Sequence, residues 1–129
     1  MEPSYLLDSA QVLFYAELDA SVIYTGRSFA VVGGAAIDPV PCLAIARNLY
    51  DDDILLLHCD DRWNVLGASA YPSIEEAKIR AETAYVGLRE KWRSYRTLTE
   101  EELAEVEEMR RFMRGESDSA TNLVGEDED

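Results

Sequence analysis

The most constraining feature of the sequence is a short apolar run, Ile54–Cys59, that lies between two aspartate-rich turns. The run is too short for a typical helix, and a membrane span would need about 20 apolar residues. It therefore predicts a central β-strand. Because side chains alternate along a strand, Ile54 and Leu56 face one side while Leu57 and Cys59 face the other. Both faces of this strand need an apolar cover.

The segments around this run predict further antiparallel strands. Residues 63–68 follow it after a tight turn and should pair with it. Residues 43–49 fit a third strand or a short helix, and we favour the strand. Within 9–24, β-branched and aromatic residues at 12–18 and 22–25 predict a β-hairpin, with a helix from Ser9 as the alternative. Residues 29–32 predict one more strand.

The hydrophobic period changes after Pro72, which indicates an amphipathic helix. Its apolar residues fall on one face: Ile74, Ala77, Ala81, Ala84 and Tyr85. Ser73 and Glu76 match a capping box, and Gly87 supplies a left-handed stop. We therefore expect the helix to span residues 73–86.

A second helix is predicted near the C-terminus. Thr99 and Glu102 match a capping box at its start, and Gly115 ends it. Its apolar stripe is narrow and consists of Leu103, Val106, Met109 and Met113. A helix with such a stripe lies on a surface or contacts another chain.

These elements predict an α+β fold for residues 1–114. We expect an antiparallel meander of four to five strands, one amphipathic helix packed on the sheet, and the C-terminal helix. Residues 115–129 are rich in Ser, Asp, Asn, Gly and Glu, with few large apolar side chains. This composition predicts a disordered acidic tail.

Charge narrows the classes of partner. The chain carries 26 acidic and 12 basic residues, a net charge of −14. Six of the acidic residues lie in 116–129, which holds no base, so the remainder still carries −8. Nucleic-acid phosphates would be repelled, whereas a basic protein surface would be attracted. We expect neither a nucleic-acid nor a membrane partner, and we expect a cytoplasmic protein whose two cysteines are reduced.

One segment contains side chains suited to catalysis, namely His58, Asp60 and Asp61. Alternation puts His58 and Asp60 on one face of a strand, so they could act together as a base and a carboxylate. No further ligands stand at metal-binding spacing, and no glycine-rich phosphate motif is present in the sequence. Solvated turn residues are the simpler interpretation of the aspartates. The sequence predicts no cofactor and no metal.

The leading functional hypothesis is a non-catalytic interaction module, such as an inhibitor, an immunity-like protein or an adaptor, that engages a basic partner surface. The predicted contact residues are Trp63 and the apolar stripe of the last helix: Leu103, Val106, Met109 and Met113. The alternatives are a small enzyme acting through His58 and Asp60, and a self-associating structural protein. We also expect a homodimer, because one helix covers only one face of the sheet.

Overall fold

The computed structural model describes residues 1–25, 31–32, 35–36 and 39–115. It confirms an α+β fold, with an antiparallel sheet and two helices. The predicted tail beyond residue 115 lies outside the described residues, as do residues 29–30 of the strand predicted at 29–32. Within the described part, neither helix is long and apolar enough to cross a membrane.

The strands are short at the edges of the fold and longer at its centre. In chain order they are β1 (Leu6–Leu7), β2 (Ala10–Glu17), β3 (Ile23–Tyr24), β4 (Val31–Val32), β5 (Ala35–Ala36), β6 (Cys42–Asn48), β7 (Ile54–Cys59), β8 (Val65–Tyr71), β9 (Tyr85–Val86) and β10 (Arg93–Ser94). The helices are α1 (Ile74–Ala84) and α2 (Glu100–Met113), and Leu88–Glu90 forms a single 3₁₀ turn.

The main sheet is antiparallel throughout and runs in the order β1-β2-β6-β7-β8, with β10 beside β1 on the outer edge of β2. The meander β6-β7-β8 confirms the predicted pairing around the central strand. The strand predicted at residues 43–49 is confirmed for 43–48, since β6 ends at Asn48 and Leu49 lies in the following turn. Two small antiparallel pairs accompany the main sheet: β3 with β9, which are distant in the chain, and β4 with β5.

The first core lies between the sheet and α1. Ile54 and Leu56 face it from the central strand, as the alternation predicts. The fully buried side chains that the helix contributes there are small, Ala77, Ala81 and Ala84, and Ile74 packs against the edge of the same core. Small residues let the helix backbone approach the sheet closely, so that the larger strand side chains fill the space between them.

The second core lies on the opposite face. Leu57 and Cys59 face it from the central strand, Trp63 packs there from the turn between β7 and β8, and Leu7 packs there from β1. Tyr95 packs against the same cluster, and its hydroxyl donates a 2.7 Å hydrogen bond to the carbonyl of Pro3. The N-terminal segment and the segment after β10 thus help to close this face within one chain.

A bulge in β2 changes which core its successive side chains enter. The pairing of β2 with β6 shifts by one residue between Val12 and Phe14. Val12 lies in the second core, whereas the consecutive residues Leu13 and Phe14 both pack against the first. An extra residue in one strand has this effect because it interrupts the strict alternation of faces.

The predicted hairpin at 12–18 and 22–25 is wrong in its pairing. Residues 12–17 are indeed in a strand, but β3 pairs with β9 instead. Both edges of β2 are already occupied, by β6 on one side and by β1 and β10 on the other. The Asp19 carboxylate also accepts hydrogen bonds from the backbone and hydroxyl of Ser21, at 2.9 and 2.6 Å, and this turn directs the chain away from β2.

Two predicted boundaries also need correction. The strand expected from residue 63 begins at Val65, because Trp63 has a left-handed backbone (φ 66°) in the preceding turn. The helix expected to reach residue 86 ends at Ala84, because Tyr85 turns extended and joins β9. Gly87 is left-handed as predicted (φ 96°), but it leads into the 3₁₀ turn rather than ending the helix.

The structure predicts that Gly87→Ala destabilises the fold. A Cβ there would lie 2.8 Å from the carbonyl oxygen of Ser21 while the backbone stays left-handed. We expect a loss in free energy of unfolding larger than the roughly 1–2 kcal/mol of the backbone term alone. Urea denaturation measures it. Gly115→Ala is the matched control, since Gly115 is also left-handed (φ 71°) but a Cβ there meets nothing within 4 Å. Equal losses for both variants would contradict the close approach to Ser21.

Candidate functional site

The segment with candidate catalytic residues forms the end of β7 and the turn that follows it. Asp60 accepts hydrogen bonds from the backbone N–H groups of Arg62 and Asn64, both at 2.9 Å, and from the Asn64 side chain at 2.9 Å. These bonds, first of all the one from the Asn64 side chain, lower the pKa of Asp60. Asp60 is therefore an ionised turn residue, and Asp61 beside it is exposed.

His58 lies inside the protein, with 5% of its surface exposed. It stands opposite Leu43 in the β6–β7 ladder, on the side of the sheet that α1 covers. In the part of the chain that the structure describes, no group of three or more His, Cys, Asp or Glu side chains is placed to hold a metal ion. A substrate could reach His58 only if this face opened, so its catalytic role stays a prediction without added support.

The two cysteines are buried thiols in the second core. Burial raises the pKa of Cys42 to about 11 and that of Cys59 to about 12. The thiolate is the nucleophilic form of cysteine. At neutral pH both side chains therefore stay protonated, and neither is an activated nucleophile.

Arg96 holds the N-terminal end of α2. Its guanidinium donates two hydrogen bonds of 2.8 Å to Glu102 and one of 3.3 Å to Glu2. Glu102 also accepts the backbone N–H of Thr99 at 2.9 Å, which completes the predicted capping box. The bonds from Arg96 and Thr99 lower the pKa of Glu102 to about 2. The first turn of α2 is thereby tied to the N-terminal segment.

Asp52 holds the other end of α2. This residue lies in the turn between β6 and β7 and has a left-handed backbone (φ 67°). Arg110 and Arg114 donate to its two carboxylate oxygens at 2.7 and 2.9 Å. The Arg114 and Arg110 guanidinium groups lower the pKa of Asp52. Arg114 also donates to the carbonyl of Leu49 at 3.0 Å, so the last turn is anchored on this loop.

The predicted contact residues differ in what they expose. Trp63 and Val106 are 5% and 3% exposed and already have their contacts within the chain. Met109 and Met113 are half-buried, and Leu103 is 49% exposed. A partner that meets this chain in its present conformation reaches Leu103 and the methionines, but not the other two.

The opposite side of α2 combines acidic groups with one large apolar side chain. Glu101, Glu105, Glu108 and Phe112 follow one another at helical spacing and form the outer face of α2. Phe112 is 75% exposed. Glu105, Glu108, Met109 and Phe112 line a shallow depression of about 290 Å³. Among the described residues, none of the three glutamates forms an ion pair.

The angular positions of residues around α2, which can be read from the sequence, already indicate this outer face. Phe112 stands next to Met113 in the chain and so lies near the predicted stripe in the sequence. At 100° per residue, however, Phe112 lies 120° around the helix from Val106. Plotting Val106 as the centre of the buried side would have put Phe112 among the glutamates.

A second surface feature was not predicted either. A groove of about 780 Å³ runs along α1 near β10. Lys78 lies 3.8 Å from the centre of the Phe14 ring, and the Trp92 indole donates to Glu82 at 3.2 Å. The groove is lined by aromatic rings and by both acidic and basic side chains. Its lining therefore does not favour a ligand of one charge.

Comparisons of the chain with protein-family models, with curated proteins and with solved structures find no match.

The geometry of Glu102 predicts how stability depends on pH. Its folded pKa of about 2 lies below the ordinary value of 4.5, so between these values the unfolded chain binds more protons. The resulting stabilisation is complete above about pH 4.5 and is lost as the pH falls towards 2. We expect Glu102→Gln, which keeps a capping side chain, to flatten the loss of unfolding free energy across this window. An unchanged acid slope in urea titrations would contradict the role of the Arg96 pair.

Proposed function

We propose that this protein is a non-catalytic interaction module that binds a basic segment of a partner protein through the outer face of α2. The observation that carries the proposal is the arrangement of Glu101, Glu105 and Glu108 beside the exposed ring of Phe112. Three carboxylates along one helical face attract and orient a positively charged partner. The aromatic ring offers the apolar anchor that interfaces commonly use.

Three arginines at the two ends of α2 support this assignment because each binds an acidic residue, whereas Arg111 in the same helix is exposed. Arg110 binds Asp52 and also approaches Glu107 at 3.6 Å, and Arg114 binds Asp52. Arg96 binds Glu102. These arginines dock the helix on the domain, while the glutamates of the outer face keep their negative charge available to a partner.

The rigidity of α2 supports the same proposal. Its first turn is fixed by the capping box, and its last turn by Asp52. A helix fixed at both ends presents its side chains in one arrangement and loses little conformational freedom on binding. The fold thus provides a preorganised acidic face.

The proposed compartment is the cytoplasm. Cys42 and Cys59 stand opposite each other in the β6–β7 ladder, and both are free thiols. A reducing compartment maintains that state.

The proposal predicts that removing the charges of the outer face reduces capture of a basic partner, whereas removing the same number of charges elsewhere does not. Glu101→Gln/Glu105→Gln/Glu108→Gln should lose a bound basic protein from a low-salt lysate, because the three charges lie in the contact. Phe112→Ser should weaken the same capture without changing the net charge. Quantitative mass spectrometry of the captured proteins measures both effects.

The matched control removes three exposed charges elsewhere, with Asp53→Asn/Asp61→Asn/Glu90→Gln. This variant has the same net charge as the glutamate variant, so it should retain the partner. Equal loss in both variants would mean that overall acidity, rather than the outer face, attracts basic proteins. Retention in the glutamate variant would exclude this face as the contact.

The fold leaves less apolar surface for the predicted homodimer than the sequence suggested. Both faces of β7 are covered within one chain, so a second copy is not needed to cover them. The surface that remains for such a contact consists of the half-buried Met109 and Met113 and of Leu103, which is 49% exposed. Light scattering after size exclusion tests it: a homodimer has twice the chain mass of 14.5 kDa. A mass of 14.5 kDa at micromolar concentration would exclude it.

A further inference from the structure

The two cysteines of the chain occupy directly opposed positions in the sheet. Cys42 is the first residue of β6 and Cys59 is the last residue of β7, and they are register partners. The sequence has no other cysteine. Any disulfide within one chain must therefore join these two residues.

The hydrogen-bond pattern shows which kind of pair they form. In the same ladder Asn48 donates its N–H to the carbonyl of Asp53 at 2.8 Å, which makes 48/53 a hydrogen-bonded pair. Such pairs recur at every second position, so 46/55, 44/57 and 42/59 belong to the same class. The hydrogen bonds on the opposite edge of β6 agree. Leu18 donates its N–H to the carbonyl of Pro41 at 2.9 Å, so this carbonyl points towards β2. The N–H of Cys42 belongs to the same peptide unit and therefore points the other way, towards β7.

This pairing brings the Cα atoms of the two residues into the range that disulfides span. Opposed residues of a hydrogen-bonded antiparallel pair have Cα atoms about 5.5 Å apart, and disulfides span Cα separations of about 4.4–6.8 Å. Their Cβ atoms lie near the upper end of about 4.5–5.5 Å, whereas a disulfide needs about 3.5–4.5 Å, so the two strand ends must move slightly together when the bond forms. Both side chains point into the second core, where Cys42 is 4% and Cys59 is 0% exposed. As register partners on the same face of the sheet, the two side chains belong to one cluster.

We propose that Cys42 and Cys59 are a disulfide-forming modification site that a low-molecular-weight disulfide of the glutathione class oxidises. In the first step one cysteine, as thiolate, attacks a sulfur of the oxidant and expels one glutathione thiolate, which takes up the released proton. In the second step the other cysteine attacks the mixed disulfide and expels the second glutathione thiolate. The protein loses two protons and two electrons, that is, two hydrogen atoms, and one glutathione disulfide becomes two glutathione thiols. The inference is independent of the proposed function.

The covering of the pair controls the rate of this reaction. Trp63 packs in the same core, and its indole donates to the carbonyl of Met1 at 2.9 Å. The Met1 ammonium binds Glu17, which is the register partner of Cys42 in β2. The oxidant reaches the thiols only when this corner opens, and the thiols must also lose a proton against their raised pKa. Oxidation is therefore slow in the closed fold and follows local opening.

The disulfide would tie the ends of two central strands together. It closes a loop around residues 43–58 and so restricts the unfolded chain. Because the strands are already paired in this register, the bond adds a covalent link to an existing contact.

The test equilibrates the full chain with mixtures of oxidised and reduced glutathione. Intact mass should fall by two hydrogens without any glutathione adduct, and peptide mapping should link Cys42 to Cys59 in a chain of unchanged size. The thermal midpoint should rise by roughly 5–10 °C and return after reduction. Trp63→Phe, which removes the bond to Met1, should oxidise faster than the native chain.

Cys42→Ser and Cys59→Ser are the controls, and each should take up one glutathione without a rise in thermal midpoint. In a second experiment the chain is oxidised in urea and then refolded by dilution. This shows whether the fold accommodates the disulfide even if glutathione cannot reach the thiols of the folded protein. A linked chain that refolds with a raised midpoint supports the site. Glutathione adducts on both cysteines, links between chains, or a linked chain with a lowered midpoint would overturn it.

Discussion

The fold depends on the need to cover both faces of a central strand. β7 carries apolar side chains on each side, and its neighbours β6 and β8 satisfy only its backbone. The helix α1 follows the meander directly in the chain and covers the first face with alanines. Among the described residues, no helical side chain belongs to the core of the second face, which is closed by Leu7, Trp63 and Tyr95 from three separate segments. Burial of apolar area on both sides thus organises elements that are far apart in sequence.

The charge of the protein is distributed unevenly around this core. Lys91 and Arg96 each bind an acidic residue more than 70 positions away, Asp19 and Glu2, respectively. Exposed ion pairs of this kind contribute little stability individually. Their effect here is positional, since they fasten the segments after α1 onto the N-terminal part of the sheet. The acidic residues without such partners remain at the surface, and this gives the outer face of α2 its charge.

The sequence predicted elements whose signals are local. The Ile54–Cys59 run, the capping box at Thr99 and the helix after Ser73 were confirmed, since each depends on neighbouring residues. The errors concern long-range choices. Nothing near residues 22–25 indicates that β3 would pair with Tyr85–Val86, because the competing edge of β2 is taken by chain that comes much later. The acidic character of the candidate surface was predictable from composition, whereas its location required the buried side of α2.

The pairing of β10 with β2 has a consequence for how the protein is made. Tyr95 donates to Leu13 and Pro3, so contacts that complete the second core join the two ends of the domain. During synthesis, β2 leaves the ribosome before β6 and long before β10, so Pro3 and Leu13 emerge well before Tyr95, which binds them. Long loops must close before these contacts form, which slows folding relative to a helical chain of this size. Until then the outer edge of β2 beside Phe14 and Tyr15 and the apolar side of the meander stay open to other chains, so the growing chain is prone to association until Tyr95 has emerged.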